Sequence, residues 1–294
     1  MIPAAFDYIT PANLDEAVRA LTSHGEDAKL LAGGHSLLPL MKLRLASPRL
    51  LIDLSKIPGL SGITEDRDKI TIGALTTHYQ IESSELLKEK CPLLPQTAGA
   101  IGDVQVRNRG TIGGSLAHAD PAADMSAAIL ALGGELRVKG AGGERWLQAE
   151  EFFLGLMTTA LSPAEILTEI RVPVLSGLPA PWQAGRCGTA YLKAAQKASG
   201  FAIVGVAVHL KIEGGVCTDI GVGVTGLGSK PFRAKGVEQR LRGKRLAPAL
   251  IEEASNQVAQ GADPLDDIHA SAEFRAHLAR VYTTRAIHEA EKRA

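Results

Sequence analysis

Two segments of the 294-residue chain pair adjacent glycines with hydroxyl residues: Ala32-Gly33-Gly34-His35-Ser36 and Thr111-Ile112-Gly113-Gly114-Ser115. Adjacent glycines let several backbone N–H groups converge on one anion with no Cβ in the way. Ser36, Thr111 and Ser115 add hydroxyls at the same places. Two such turns from separate segments can clamp a pyrophosphate from both sides without a lysine. Two ordinary tight turns are the alternative on composition alone, and the pair is better evidence for an anion site than either turn singly. Other phosphate motifs fail on spacing. Gly236 stands too far from Gly243-Lys244 for a P-loop, and Arg245 occupies the Ser/Thr position. Gly221, Gly223, Gly226 and Gly228 lie far from any N-terminal βαβ unit, which disfavours a nicotinamide on a Rossmann fold.

Charge fits an amide-lined site. The 32 basic residues balance 32 acidic ones, whereas a nucleic-acid binder normally carries a basic excess. Hydrophobic residues make up 45% of the chain, enough for a sizeable core in two or three domains. No apolar run approaches the roughly 18–20 residues of a spanning helix, and no secretion signal opens the chain, so it reads as soluble and cytoplasmic. Cys91, Cys187 and Cys217 are far apart and form no Cys-x-x-Cys, so a local zinc or iron–sulfur motif is excluded; they read as reduced packing residues. No metal ligand set is expected. Glycine is frequent, 31 residues against an average of about 7%, and aromatics are scarce at 4%.

The positioning elements follow from local pattern. Asn13 and Glu16 have capping-box spacing ahead of a helix that stops at Gly25. Short apolar runs at 29–32, 50–54 and 70–74 read as strands, the first running straight into Gly33-Gly34. Residues 78–101 read as helix in two pieces broken by Pro92. Asp120 suits an N-cap and Pro121 a first helical position, with Gly133 as the stop. Residues 165–172 read as a strand ending at Pro173, and 174–188 as a Pro/Gly-rich linker. Alternation over 206–213, the turn Glu213-Gly214-Gly215 and the run 216–224 predict a hairpin. Two helices around 248–260 and 273–292 close the chain, the second with Phe274, Leu278, Val281 and Ile287 on one apolar face.

The stretch Ala32-Gly33-Gly34-His35-Ser36-Leu37-Leu38-Pro39-Leu40-Met41-Lys42 resembles the first flavin motif of the FAD-binding subunit of molybdenum hydroxylases. Thr111 to Ser115, continuing to Ala119-Asp120-Pro121-Ala122-Ala123-Asp124, resembles the second. Glu165 to Pro173 and Tyr191-Leu192-Lys193 also fit, and the likeness is greatest to the medium subunit of aerobic carbon monoxide dehydrogenase and its relatives. The resemblance covers the whole chain. It implies an α+β protein: a two-subdomain FAD-binding fold of the vanillyl-alcohol oxidase/PCMH type over 1–175 (subdomains about 1–57 and 58–175), then a C-terminal α+β domain over 176–294, an antiparallel sheet with helices.

By that resemblance, Ala32, Gly33, Gly34, His35, Ser36 and Leu37, with Thr111, Ile112, Gly113, Gly114 and Ser115, would hold the FAD pyrophosphate through backbone amides. Ser115 replaces an asparagine common in relatives. Asp124 would reach the adenosine ribose or nearby hydroxyls, or else serve only the helix dipole. Ile101 and Leu167 would pack on flavin or adenine rings, or be ordinary core. Tyr191 would sit near the isoalloxazine and Lys193 near its polar edge. Lys197 stands where relatives often carry arginine. His35 would contribute backbone contact and His118 structure, while Arg107 and Arg109 support the turn or line a partner surface.

The resemblance further implies an electron-transfer subunit with FAD as cofactor and no catalytic residue of its own. Electrons would come from a small 2Fe–2S subunit fed by a large molybdopterin subunit, and leave to oxygen, a quinone or a nicotinamide. The assembly would be a dimer of heterotrimers. The chain lacks the cysteine-rich insertion that binds a 4Fe–4S cluster in benzoyl-CoA-reducing relatives. Its substrate would be set by the large subunit: carbon monoxide, an aldehyde, a purine or another N-heterocycle. Two other readings compete, an assembly subunit that has lost FAD and a free-standing flavin oxidase of the related fold.

Overall fold

The computed structural model describes residues 2–175 and 185–294. Its first layer is a parallel three-stranded sheet with Leu50–Asp53 between Asp7–Ile9 and Ala28–Leu31. The helix Leu14–His24 covers it with Ala17, Val18 and Leu21. Asn13 Oδ1 accepts from the Glu16 amide at 3.0 Å, and Glu16 accepts from the Ala12 amide at 2.8 Å, so the cap forms with its return bond one residue early. Gly25 ends the helix at φ +53°. The strand Ala28–Leu31 delivers the chain directly into the first glycine turn, which leads to the short helix Leu37–Lys42.

A five-stranded antiparallel sheet forms the second layer, in the order Ile63–Asp66, Lys69–Gly73, Ile166–Pro173, Glu135–Gly140, Gly143–Gln148. Ile70, Ile72, Leu136, Val138, Ile170 and Val172 put its inner face into the core with helices Leu93–Gly99 and Ile112–His118. Here the expected two helical pieces over 78–101 are three: His78–Ser83, Glu85–Lys90 and Leu93–Gly99. Ser84 makes the extra break because its hydroxyl accepts from the Leu87 amide, starting a new helix.

The third sheet runs Arg186–Ala195, Ala202–Glu213, Val216–Thr225, Phe232–Arg233. Gly214 and Gly215, both at positive φ, make the expected hairpin turn. Alternation in the strand Ala202–Glu213 does not mean one wet face: Val206, Ala207, Val208 and His209 are all buried. Val206 and Val208 face the C-terminal helices, while Ala207 packs with the core of the second layer. Of the expected linker, residues 176–184 lie outside the described residues. Gly188 belongs to a strand, and its ideal Cβ would stand 1.8 Å from the Ala290 carbonyl of helix Ala272–Arg293.

That helix buries only part of the predicted apolar face: Ile287 is buried and Leu278 packs partly on the core, whereas Phe274 is half-exposed. The buried set is Arg275, Ala279, Thr283, Ala286, Ile287 and Ala290. Small side chains win because the helix lies directly on strand backbone at Gly188. An additional helix, Lys235–Leu241, precedes Pro248–Ser255.

The helix expected from Asp120 begins at Asp124 and runs to Ala131. Asp120 instead accepts from the Ala122 amide at 2.8 Å, holding a turn. The carbonyls of Pro121 and Ala123 are drawn away to Thr225 Oγ1, and that of Pro121 also to the Gly226 amide. All eight residues of Asp124–Ala131 are buried, as expected of a helix enclosed on every side. It links the second layer to the C-terminal sheet. Among the described residues no helix is long and apolar enough to cross a membrane. Cys91 and Cys217 are free and sealed, and burial pushes their thiols up to about 12 and about 11.

Candidate functional site

A cleft of about 670 Å³ opens where the three layers meet. Residues 32–37 form one wall, and Thr111, Gly113, Gly114 and Ser115 another. Ile101, Asp124 and Leu167 also line it, so these predicted positions converge in space. Ser199, Gly200 and Phe201 reach it from the C-terminal sheet, and Met157 from the turn before Thr158–Thr159.

The two glycine turns touch. A Cβ on Gly33 would lie 2.1 Å from the Arg109 carbonyl oxygen, so only glycine lets the segments meet here. Gly34 takes φ +79°, a conformation a side chain resists. Beyond the contact, the amides of Gly33, Gly34, His35, Ser36 and Leu37 run in succession along the cleft. None of these five N–H groups donates to a backbone carbonyl among the described residues. A row of free donors on a concave wall is the chemistry of an anion cradle.

The second turn is built differently. It is the first turn of helix Ile112–His118, with Thr111 as N-cap. Four of its five amides are spent inside the protein: Ile112 donates to Thr76 O at 3.0 Å, Gly113 to Ala74 O at 2.8 Å, Gly114 to Thr111 Oγ1 at 3.1 Å and Ser115 to Thr111 O at 3.0 Å. Gly113 is required because a Cβ would stand 2.5 Å from that of Ala74. This wall therefore brings the Thr111 and Ser115 side chains and its small profile to the cleft, in place of most of the expected free amides.

Asp124 sits at the inner end with its carboxylate buried. Burial pushes its pKa up, while Lys193 and the Tyr191 hydroxyl, both bonded to Oδ1, hold it back. Tyr191 and Lys193 thus stand behind Asp124 and are not part of the cleft wall. Lys193 also donates to the Gly200 carbonyl at 2.6 Å, tying the loop that closes the cleft. Lys197 is exposed and away from it. Arg107 supports the second turn from outside, donating to Glu82 at 2.7 Å and to Ile101 O at 3.0 Å. His118 lines the cleft.

His78, Met157 and Phe201 line it without having been singled out from sequence. Phe201 carried a signal, an aromatic directly after Ser199-Gly200; Met157 carried none. Among the described residues no cluster of three or more His, Cys, Asp or Glu side chains has the arrangement of a metal site.

The likeness to known proteins runs over the full length of the chain. Residues 4–175 match the family model of the FAD binding domain in molybdopterin dehydrogenase, and residues 189–290 that of the CO dehydrogenase flavoprotein C-terminal domain. The chain belongs to the FAD-binding subunits of the molybdenum hydroxylases. It is 38% identical over 290 residues to the carbon monoxide dehydrogenase medium chain of Hydrogenophaga pseudoflava, covering 99% of this chain and 98% of that one. It is 35% identical to the glyceraldehyde dehydrogenase medium chain of Sulfolobus acidocaldarius, covering 98% and 99%. The crystal structure of Cu,Mo-CO dehydrogenase in its cyanide-inactivated form superposes with a TM-score of 0.95 at 38% identity, covering all of both chains. The α+β flavin-subunit fold expected from sequence is the fold observed.

FAD fits the site on the structure's own terms. Five adjacent amide donors suit the two negative charges of a pyrophosphate, and glycine at 33 lets this segment sit directly against the Arg109–Gly110 backbone of the other wall. Apolar Ile101 and Leu167 and the buried carboxylate of Asp124 suit the ring systems and sugar hydroxyls of a dinucleotide.

Proposed function

We propose that residues 32–37 hold the FAD pyrophosphate through their free amides, with the Thr111 and Ser115 side chains closing on it from the second wall. Ile101 and Leu167 pack against its rings. Asp124 accepts from a ribose hydroxyl, its carboxylate aimed by Tyr191 and Lys193, which act on the cofactor through it. In this reading the FAD-binding part spans 1–175, with subdomains about 1–57 and 58–175, and 176–294 forms the C-terminal domain whose Gly200–Phe201 loop closes the cleft.

FAD, when bound, supplies a redox centre that exchanges electrons singly or in pairs. The chain's own part is to bind and orient the cofactor and exclude water around it. It serves a complex of carbon monoxide dehydrogenase type, with a large molybdopterin subunit and a small 2Fe–2S subunit arranged as a dimer of heterotrimers. Substrate choice lies with the large subunit. The row of unpaired amides at 33–37 is the observation that carries the assignment, since an assembly subunit without cofactor would have no use for it.

The test is direct. The full chain, purified and given FAD, should take up one equivalent and show a bound-flavin spectrum. Absence of both a spectrum and measurable binding refutes the assignment.

A further inference from the structure

One polar side chain in the cleft wall has no function in the fold. His78 opens the helix His78–Ser83 and is 4% exposed, yet it belongs to the cleft lining. Its backbone amide donates to the Gly110 carbonyl at 2.9 Å, which fixes the residue against the segment joining the two walls. The ring lies over Gly110: a Cβ there would meet His78 Cδ2 at 2.9 Å and Nε2 at 3.3 Å. Gly110 in turn abuts Gly33, the first residue of the amide row, whose ideal Cβ would be 3.0 Å from the Gly110 Cα. His78, Gly110 and Gly33 are therefore stacked in succession, and the imidazole stands beside the start of the cradle.

The ring's two nitrogens are not equivalent. Nδ1 is sealed from solvent and has no hydrogen-bond partner. A sealed N–H without an acceptor costs more than a bare lone pair, because orphaned buried donors are the rarer and dearer defect. The tautomer that minimises this cost carries its proton on Nε2 and leaves Nδ1 bare. Burial, reinforced by the nearby His35, pushes the imidazole down to about 4, so it is neutral at physiological pH. A neutral imidazole fixed in this way is a donor only, at one atom, and adds no charge to the site.

We propose that His78 Nε2–H is a fixed hydrogen-bond donor to a phosphate oxygen of the dinucleotide in the cleft, adding a donor beside the second wall, where four of the five motif amides are spent. The inference rests on the FAD assignment above and extends it to a residue that no glycine motif contains. A donor of this kind explains how one wall can use its amides to seat itself against Ala74 and Thr76 and still contribute to anion binding.

The experiment uses the full chain with FAD, ADP and riboflavin as three separate probes, binding being followed by flavin fluorescence and by calorimetry. ADP carries the pyrophosphate without the flavin ring, and riboflavin the reverse. His78→Phe keeps an aromatic ring and removes the donor. It should bind FAD and ADP about tenfold more weakly, the worth of one hydrogen bond to an anion, while riboflavin is unchanged. His78→Gln, which retains an N–H, should recover part of the loss. In the unmutated chain with isotope-labelled histidine, ADP should move the His78 Nε2 resonance and leave Nδ1 unprotonated, a readout that needs no variant to fold. Equal FAD and ADP affinity in His78→Phe, a loss confined to riboflavin, or a proton found on Nδ1 overturns the proposal. Failure of the unmutated chain to bind FAD at all counts against the FAD assignment itself.

Discussion

Lys193 Nζ lies 2.9 Å from Asp124 Oδ1, with the two side chains only 9% and 6% exposed. The pair joins the C-terminal sheet to the buried helix Asp124–Ala131, and the Tyr191 hydroxyl completes it on the same oxygen. Asp124 also lines the cleft, so one buried ion pair both fastens the layers and fixes a carboxylate at the cleft wall. Removing one partner of a buried pair leaves a charge without compensation, at a cost of roughly 3–5 kcal/mol. Lys193→Met should lose about that much stability in urea unfolding. Tyr191→Phe, which leaves the ion pair, should lose only about 1.5–3 kcal/mol. Equal losses in the two variants would show that the ion pair is not the stronger tie.

His78 makes stability depend on pH with a definite sign. Burial lowers its pKa from 6.5 to about 4, so in the window between those values the unfolded chain takes up a proton that the folded chain refuses. Stability therefore falls as pH drops from about 6.5 towards 4, by up to about 3 kcal/mol from this group, and is fully present above that window. Comparing urea unfolding at pH 7.5 and 4.5, His78→Phe should show a smaller drop than the unmutated chain. The same drop in both would remove His78 as the cause.

The glycines of the two turns should respond differently to alanine. At Gly33 the added carbon would press on the Arg109 carbonyl at 2.1 Å, which cannot yield without parting the two walls. Gly33→Ala should cost about 1–3 kcal/mol by overpacking and weaken FAD binding as the amide row shifts. At Gly114 the clash is with Thr111 Oγ1 at 2.8 Å, the N-cap of the helix. Losing the cap costs about 1 kcal/mol, and alanine returns about 1 kcal/mol of helix propensity. Gly114→Ala should be near neutral in thermal unfolding. A Gly33→Ala protein as stable as the parent would show that the turns need not touch.

What could be read from sequence was local. The N-cap at Asn13, the strand running into Gly33 and the hairpin at Gly214-Gly215 depend on neighbours a few residues away, and all three are present, the first with its return bond to Ala12. Motif spacing also found the two glycine segments of the cleft wall, because a short glycine motif largely dictates its own backbone. The destination of each amide was not legible. Whether Gly113 donates to a ligand or to Ala74 is decided by a carbonyl 39 residues upstream, brought close only by the fold. The same holds for the partners of Asp124: a ribose contact and a helix-dipole role both fit its position in the motif, but Tyr191 and Lys193, which hold its carboxylate, arrive from another sheet. His78 gave no signal because a histidine after a threonine N-cap is unremarkable until its ring proves to be sealed.

The scarcity of aromatics has a structural counterpart in glycines outside both motifs. Gly223 and Gly221 lie in the strand Val216–Thr225, where ideal Cβ atoms would stand 1.9 Å from the Ala127 carbonyl and 2.1 Å from that of Ala131. Gly188 meets Ala290 in the same way on another helix. Helices rest on strand backbone at these points, and large side chains would hold them apart; alanine and valine accordingly dominate the surrounding core. A lone strand glycine normally weakens a strand, but it also marks close backbone approach, and here the approach sets the depth of the helix bearing Asp124. Gly223→Ala should push Asp124–Ala131 off the sheet, cost about 1–3 kcal/mol and stretch the contact from Asp124 to Lys193. It should therefore lower FAD affinity although residue 223 is not in the cleft wall. Thermal unfolding and FAD titration of this one variant test both parts, and unchanged FAD affinity in a destabilised protein would separate helix seating from the site.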